Sequence, residues 1–87
     1  MKLSLISPEV IVEYNIAWAE LFVQHGSLIV QRGHEPMICL LKQNQHAVFK
    51  LKTGKQGTIM IANGVAEIKR EEIILTVKLA QLPTDLP

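Results

Sequence analysis

Short apolar runs, cut by turn-forming residues at intervals of about eight to twelve positions, extend along the whole chain and restrict its folding more than any other feature. Strands are expected over residues 3–6, 10–14, 17–23, 28–31, 37–41, 47–52, 58–62, 65–69 and 73–78. The interruptions are Ser7-Pro8, Asn15, Gln24-His25-Gly26, the loop Arg32-Gly33-His34-Glu35-Pro36, and Asn63-Gly64. Alternation is clearest where Ala47, Phe49 and Leu51 fall on one face and Val48, Lys50 and Lys52 on the other. The turn 53–57 joins that strand to 58–62 as a hairpin, and Arg70-Glu71-Glu72 joins the last two strands as another. One stretch is ambiguous, because Ile11, Tyr14, Trp18, Leu21 and Phe22 also fit a helical period. The β-branched cluster Val10-Ile11-Val12 and the break at Asn15 favour strands there.

The pattern therefore reads as all-β, a sandwich or barrel of about eight to ten short strands. At 87 residues there is room for one core, and stability from that core alone is modest. Hydrophobic residues make up 48% of the chain and aromatics only 5%, so Val, Ile and Leu must fill the interior. The β domain is placed at 1–80, followed by an irregular tail over 81–87 that Pro83 and Pro87 keep from forming a regular helix. Cys39 stands alone, so the chain forms no internal disulfide, and its apolar surroundings point to a buried, inert thiol and a reducing compartment. No signal-length or membrane-length apolar segment appears. Small domains of this kind commonly gain stability from disulfides, metals or partners. With the first two unsupported by the sequence, partner subunits are the expected source.

Candidate chemistry is sparse. His25, His34 and His46 lie at neither helical nor hairpin-ligand spacing, so no zinc site is expected. His34 and Glu35, as neighbours in the chain, point to opposite faces and lack an evident Ser or Cys nucleophile. Gly54-Lys55 fails as a phosphate-binding loop, with Phe49 where the first Gly is needed and Gln56 where a Ser or Thr must bind magnesium. No catalytic residue, metal or cofactor is assigned. A net charge of +1 with interleaved signs gives no general basic footprint. The one alternative is a small barrel binding single-stranded nucleic acid through a Lys50, Lys52 and Lys55 hairpin, although no exposed aromatic is expected between those lysines.

Several segments in order carry a resemblance: Leu3-Ser4-Leu5-Ile6-Ser7-Pro8-Glu9, Gln24-His25-Gly26-Ser27-Leu28, Gly33-His34-Glu35-Pro36, Ile61-Ala62-Asn63-Gly64 with Glu67, and Leu75-Thr76-Val77. Collinear over about 3–80, they resemble the N-terminal β domain of the epsilon subunit of bacterial F-type ATP synthases. The resemblance implies a flattened β-sandwich of two antiparallel sheets. It further implies a non-catalytic central-stalk subunit that couples a gamma subunit to the c-ring during proton- or sodium-driven ATP synthesis. Such a subunit lies on the cytoplasmic face of the inner membrane, held there through the complex. The gamma-facing element is implied at Gly33, His34, Glu35, Pro36 and Met37, and the c-ring-facing loop at Gln24, His25, Gly26, Ser27 and Leu28.

Departures from the family pattern accompany these segments. His25 and Ser27 stand where acids are usual, Arg32 replaces a Pro and Glu35 a small residue. Asn44 and Asn63 occupy positions where Gly is preferred, and Asn tolerates positive φ better than other side chains. Family members usually continue into two antiparallel helices. The sequence stops at Pro87, so neither inhibition of hydrolysis nor nucleotide binding is implied for it.

Overall fold

The computed structural model describes residues 1–81 and Pro83, so the expected tail lies almost wholly outside the described residues. Among the described residues seven strands form: β1 (Lys2–Ile6), β2 (Ile11–Val23), β3 (Gly26–Gln31), β4 (Met37–Leu40), β5 (Gln45–Leu51), β6 (Gln56–Ile68) and β7 (Glu72–Leu79). The all-β expectation holds, and both expected hairpins form, as β5–β6 and β6–β7.

The strand count is lower than expected because two expected breaks do not end strands. β2 continues through Asn15, and β6 continues through Asn63-Gly64. Each carries a register irregularity close by, between Ile16 and Trp18 and between Ile61 and Asn63. An extra residue in a strand inverts which side chains face inward. Accordingly Tyr14 and Ile16 are buried before the irregularity in β2, and Ala19 and Leu21 after it. In β6, Ile59 and Ile61 give way to Ala66 and Ile68.

These irregularities are corners. The first part of β2 pairs with β1, whereas its later part pairs with β5 and β3. β6 pairs first with β5, then with β7 and β4. One layer therefore runs β4, late β6, β7, β1, early β2, and the other β3, late β2, β5, early β6. Strands that switch sheets at bulges are how sandwich corners are made. The result is a flattened sandwich measuring 29 × 28 × 18 Å. Its pairings are antiparallel except β1 with β7, which is parallel.

The alternating strands supply the interior: Leu3 and Leu5 from β1, Phe49 from β5, and Ile73, Leu75 and Val77 from β7. Tyr14 and Phe49 meet with ring centroids 4.5 Å apart. Gly57 lies beneath the Phe49 ring, where a Cβ would come within 2.4 Å of Cζ. Gly64 marks the β6 corner, where a Cβ would lie 2.7 Å from the Thr76 carbonyl oxygen. Asn44 adopts φ 56°, as the Gly-replacing role requires, but Asn63 has no left-handed φ because it is part of the β6 bulge.

β4 departs from expectation. The sequence expects an apolar strand there around a buried Cys39, but among the described residues β4 pairs only with β6 and leaves Ile38 and Leu40 72% and 74% exposed. Cys39 points to the core side opposite Ala66 and is half-buried, not fully buried. Burial still raises its thiol pKa above the ordinary value.

Candidate functional site

Two loops singled out in the sequence sit at opposite ends of β3. Gln24 and His25 form the two-residue turn of the β2–β3 hairpin, with Val23 paired to Gly26. Gln24, His25, Gly26 and Ser27 are exposed, and Leu28 is a half-buried anchor packed against the core. Gly26 adopts φ 142°, which admits the tight return of the chain. At about 3.4 Å per residue, β3 separates this turn from the β3–β4 loop by roughly 20 Å.

The β3–β4 loop is fixed by its backbone. Gly33 at φ 87° donates its N–H to the Arg70 carbonyl oxygen at 2.6 Å, and His34 N–H reaches the Gln31 oxygen at 3.1 Å. The His34 ring is half-buried, its Nδ1 2.7 Å from the Glu35 carbonyl oxygen, which makes Nδ1 the protonated nitrogen. Glu35 and Pro36 are exposed, and Met37 is 38% exposed. Arg32 pairs with Glu71 across the β6–β7 turn, with Nε 2.9 Å from Oε1, although both side chains are largely in water.

Charges of both signs gather at this end, where Arg32 pairs with Glu71 and Lys2 with Glu13 and Glu72. The N-terminal ammonium donates to the Ile16 carbonyl oxygen, and its pKa is lowered by desolvation first and then by the neighbouring Lys52 and Arg32. Lys52 N–H in turn bonds the Asn15 oxygen, so the β5–β6 turn belongs to the same end. Lys50 lies opposite Trp18 on β2, and its exposed side chain shares a face with that half-buried ring. No exposed aromatic lies between Lys50, Lys52 and Lys55, and the nearest ring in the register is this half-buried Trp18 on the adjacent strand.

The opposite end carries little charge. A shallow groove of about 950 Å³ runs there between Gln24, Asn44 and Gly64, bordered by Leu40 and Val65. The β4–β5 turn is tied to it by Lys42 N–H on the Phe22 oxygen and Asn44 N–H on the Ala62 oxygen.

A further surface was not anticipated. On the outer face of the five-stranded layer, Leu40 pairs with Val65, Val65 with Thr76, Thr76 with Ile6, and Ile6 with Ile11. Leu40 and Ile11 at the two edges are 74% and 75% exposed, and Val65 and Ile6 are 36% and 37% exposed. A row that is aliphatic except at Thr76 thus crosses five strands, about 20 Å at 4.8 Å between strands. Monomeric proteins seldom leave contiguous apolar surface of this kind in water without a use for it. Sequence reading missed the row because its members come from five separate segments and become neighbours only through the register. The one local signal was β4, whose unbroken apolar run lacks the alternation that would have shown which face is wet.

The matching family model is described as the beta-sandwich domain of the ATP synthase Delta/Epsilon chain, and it covers residues 1–83. A search of the curated proteins finds no match. Among solved structures, one similar chain is in the Euglena gracilis mitochondrial ATP synthase, in a cryo-EM assembly of OSCP, F1 and c-ring in rotational state 1. It superposes with a TM-score of 0.81 at 18% identity, over 93% of this chain and 51% of its own. Another is in the central stalk and c-ring of the Tetrahymena thermophila mitochondrial ATP synthase, with a TM-score of 0.75 at 13% identity, over 90% of this chain and 63% of its own. The chain thus spans between half and two thirds of these relatives. The comparisons lend no support to the nucleic-acid alternative.

Proposed function

The chain belongs to the ATP synthase delta/epsilon β-sandwich family, and on that premise we propose that it is a non-catalytic subunit of a central stalk. Its role is to join a gamma-type subunit to a c-ring so that proton- or sodium-driven rotation reaches the catalytic head. The family match across nearly the whole described domain carries the reading. The two solved relatives, from a c-ring-containing assembly and from a central stalk with its c-ring, accord with it. So does the placement of two exposed loops at opposite ends of one strand.

On this reading Gly33, His34, Glu35, Pro36 and Met37 face gamma, and Gln24, His25, Gly26, Ser27 and Leu28 face the ring. A five-residue loop is too small for a stable interface, which buries roughly 800 Å² on each partner. Met37 begins β4, so the gamma surface extends from the loop along Ile38 and Leu40 into the apolar row. Apolar residues then form the contact centre, with His34, Glu35 and Arg32 as a polar rim. The subunit works by being held at both ends, at the cytoplasmic surface of the membrane and without inserting into it. The domain responsible is the β-sandwich over 1–80.

Co-purification with the cognate gamma-type subunit tests the reading. The wild-type chain should be retained by a tagged gamma. Met37→Asp with Leu40→Asp, both at exposed sites, should abolish retention while leaving the far-ultraviolet spectrum unchanged. His25→Glu with Ser27→Glu should leave gamma retention intact but alter coupled proton or sodium pumping. A folded wild-type chain that ignores its cognate gamma refutes the proposal.

A further inference from the structure

Among the described residues β4 has one edge without a strand partner, and that edge is self-complementary in its hydrogen bonds, its side chains and its charges. Leu41 N–H bonds the Gly64 oxygen, which fixes the alternation along this antiparallel pair. The backbone groups of Met37 and Cys39 point to β6, and those of Ile38 and Leu40 point away from it. Past Leu40 the edge is closed, because Lys42 N–H is taken by the Phe22 oxygen. The open groups are then the N–H and C=O of Ile38, the N–H of Leu40 and the C=O of Pro36, which has no N–H to offer.

We propose that two copies of the chain pair through these groups, antiparallel about a two-fold axis at Ile38. In that register each Ile38 N–H donates to the Ile38 oxygen of the other copy, and each Leu40 N–H donates to the other copy's Pro36 oxygen. All the open groups are then satisfied. An axis at Cys39 would set Pro36 opposite Lys42, whose N–H is already spent, and an axis at Leu40 would do the same to Ile38. The side chains agree with the bonds. Ile38 meets Ile38, and Leu40 meets Pro36, covering the two most exposed aliphatics of β4. Charge agrees as well, since Glu35 precedes the strand and Lys42 follows it, so antiparallel pairing brings acid near base at both ends. An apolar, uncharged edge is otherwise open to strand addition, and two-fold closure ends that addition at two copies.

The pairing does not depend on the stalk reading. If that reading holds, a gamma-type partner and a second copy exclude each other at Ile38, and the dimer is the form the subunit takes before assembly.

Sedimentation velocity over rising concentrations of the whole chain, under reducing conditions, should show a reversible monomer–dimer equilibrium. Ile38→Lys should weaken it by tenfold or more, since charged edge residues oppose strand addition. Ile38→Pro should weaken it similarly, because that outward N–H makes no bond to β6; circular dichroism would establish that both variants fold. In a Cys39→Ser background, Ile38→Cys should be trapped as a disulfide dimer on mild oxidation. Cα atoms of a hydrogen-bonded antiparallel pair lie about 5.5 Å apart, inside the range a disulfide spans. Met37→Cys in the same background should not be trapped. A chain that stays monomeric throughout overturns the proposal. So does a dimer that survives Ile38→Lys, one that Ile38→Cys does not trap, or growth beyond two copies.

Discussion

Gly57→Ala and Gly64→Ala look alike in sequence, yet the structure separates them. A Cβ on Gly57 would sit 2.4 Å from Phe49 Cζ and 2.9 Å from Cε2. The ring is buried at 2% exposure and backed by Tyr14 at 4.5 Å, so it has little room to retreat. Overpacking of this kind costs about 1–3 kcal/mol. At about 4–8 °C per kcal/mol, the melting temperature should fall by roughly 4–24 °C. The obstacle is a side chain and can be removed. Phe49→Leu alone should cost about 1–2 kcal/mol in lost packing. In that background Gly57→Ala should be neutral or slightly stabilising, since Gly57 has no positive φ and Ala narrows the unfolded ensemble. The coupling energy between the two sites should exceed about 1 kcal/mol. Gly64 offers no such relief, because its Cβ would meet the Thr76 oxygen and Val77 Cα, both at 2.7 Å. Val77→Ala removes only the Cγ1 contact, so Gly64→Ala should remain costly beside it. Urea denaturation of the two four-member cycles measures both couplings. Equal costs for Gly57→Ala with and without the Phe49 ring would show that the ring is not what keeps position 57 small.

Three smaller effects follow. Asn44 holds φ 56° at the β4–β5 turn, so Asn44→Ala should cost about 1–2 kcal/mol while Asn44→Gly is nearly neutral, read by thermal melting. The Arg32–Glu71 pair is 72% and 67% exposed, so Glu71→Gln should change stability by less than about 0.5 kcal/mol, an effect that shrinks further as salt is added; a larger loss would mean that the pair fastens the β3–β4 loop. Burial holds the Cys39 thiol above its ordinary pKa, so the folded state binds this proton more tightly than the unfolded one. Its contribution is complete below the ordinary thiol pKa and is lost as pH rises through the folded value, and alkylation of Cys39 should lag behind that of the urea-unfolded chain at pH 8.

How much was legible in the sequence depended on whether the strand period stayed in phase. β1, β5 and β7 alternate without interruption, and the faces of β5 were assigned correctly. β2 does not alternate strictly, because its buried residues Tyr14, Ile16, Ala19 and Leu21 change phase at the corner. The apparent helical period over Ile11, Tyr14, Trp18, Leu21 and Phe22 does not follow the core face, since of the five only Tyr14 and Leu21 are buried and Ile11 is 75% exposed. Asn15 and Asn63-Gly64 were sound signals of irregular backbone, but a turn residue does not reveal whether the chain stops or bends. β4 formed as expected, but its exposure was not legible and the burial of Cys39 was overestimated: four apolar residues in a row state no face, and edge position is a property of the sheet. The two loops were placed in the chain from their Gly and Pro residues, whereas the apolar row needed the pairing of five strands to exist at all.

The same corners bear on how a held domain would transmit force. Two separate sheets packed face to face are joined only by side chains and can slide. Here β2 and β6 are each hydrogen-bonded into both layers, so shear between the layers must break backbone ladders at the corners. A load entering at Gln24 and His25 passes through the β2–β3 hairpin into late β2, and along β2 into the layer that contains β1 and β7. From there it reaches β6 and β4, next to Met37, without crossing a purely side-chain contact. On the stalk reading, the coupling path between ring-facing and gamma-facing surfaces is therefore continuous backbone hydrogen bonding. Weakening the β6 corner with Gly64→Ala should then loosen coupling more than truncating a core side chain of equal stability cost, when both are compared within an assembled complex by the ratio of ions pumped to ATP hydrolysed. Equal losses from the two would mean that the layers move as one through core packing alone, and that the crossing strands carry no special share of the load.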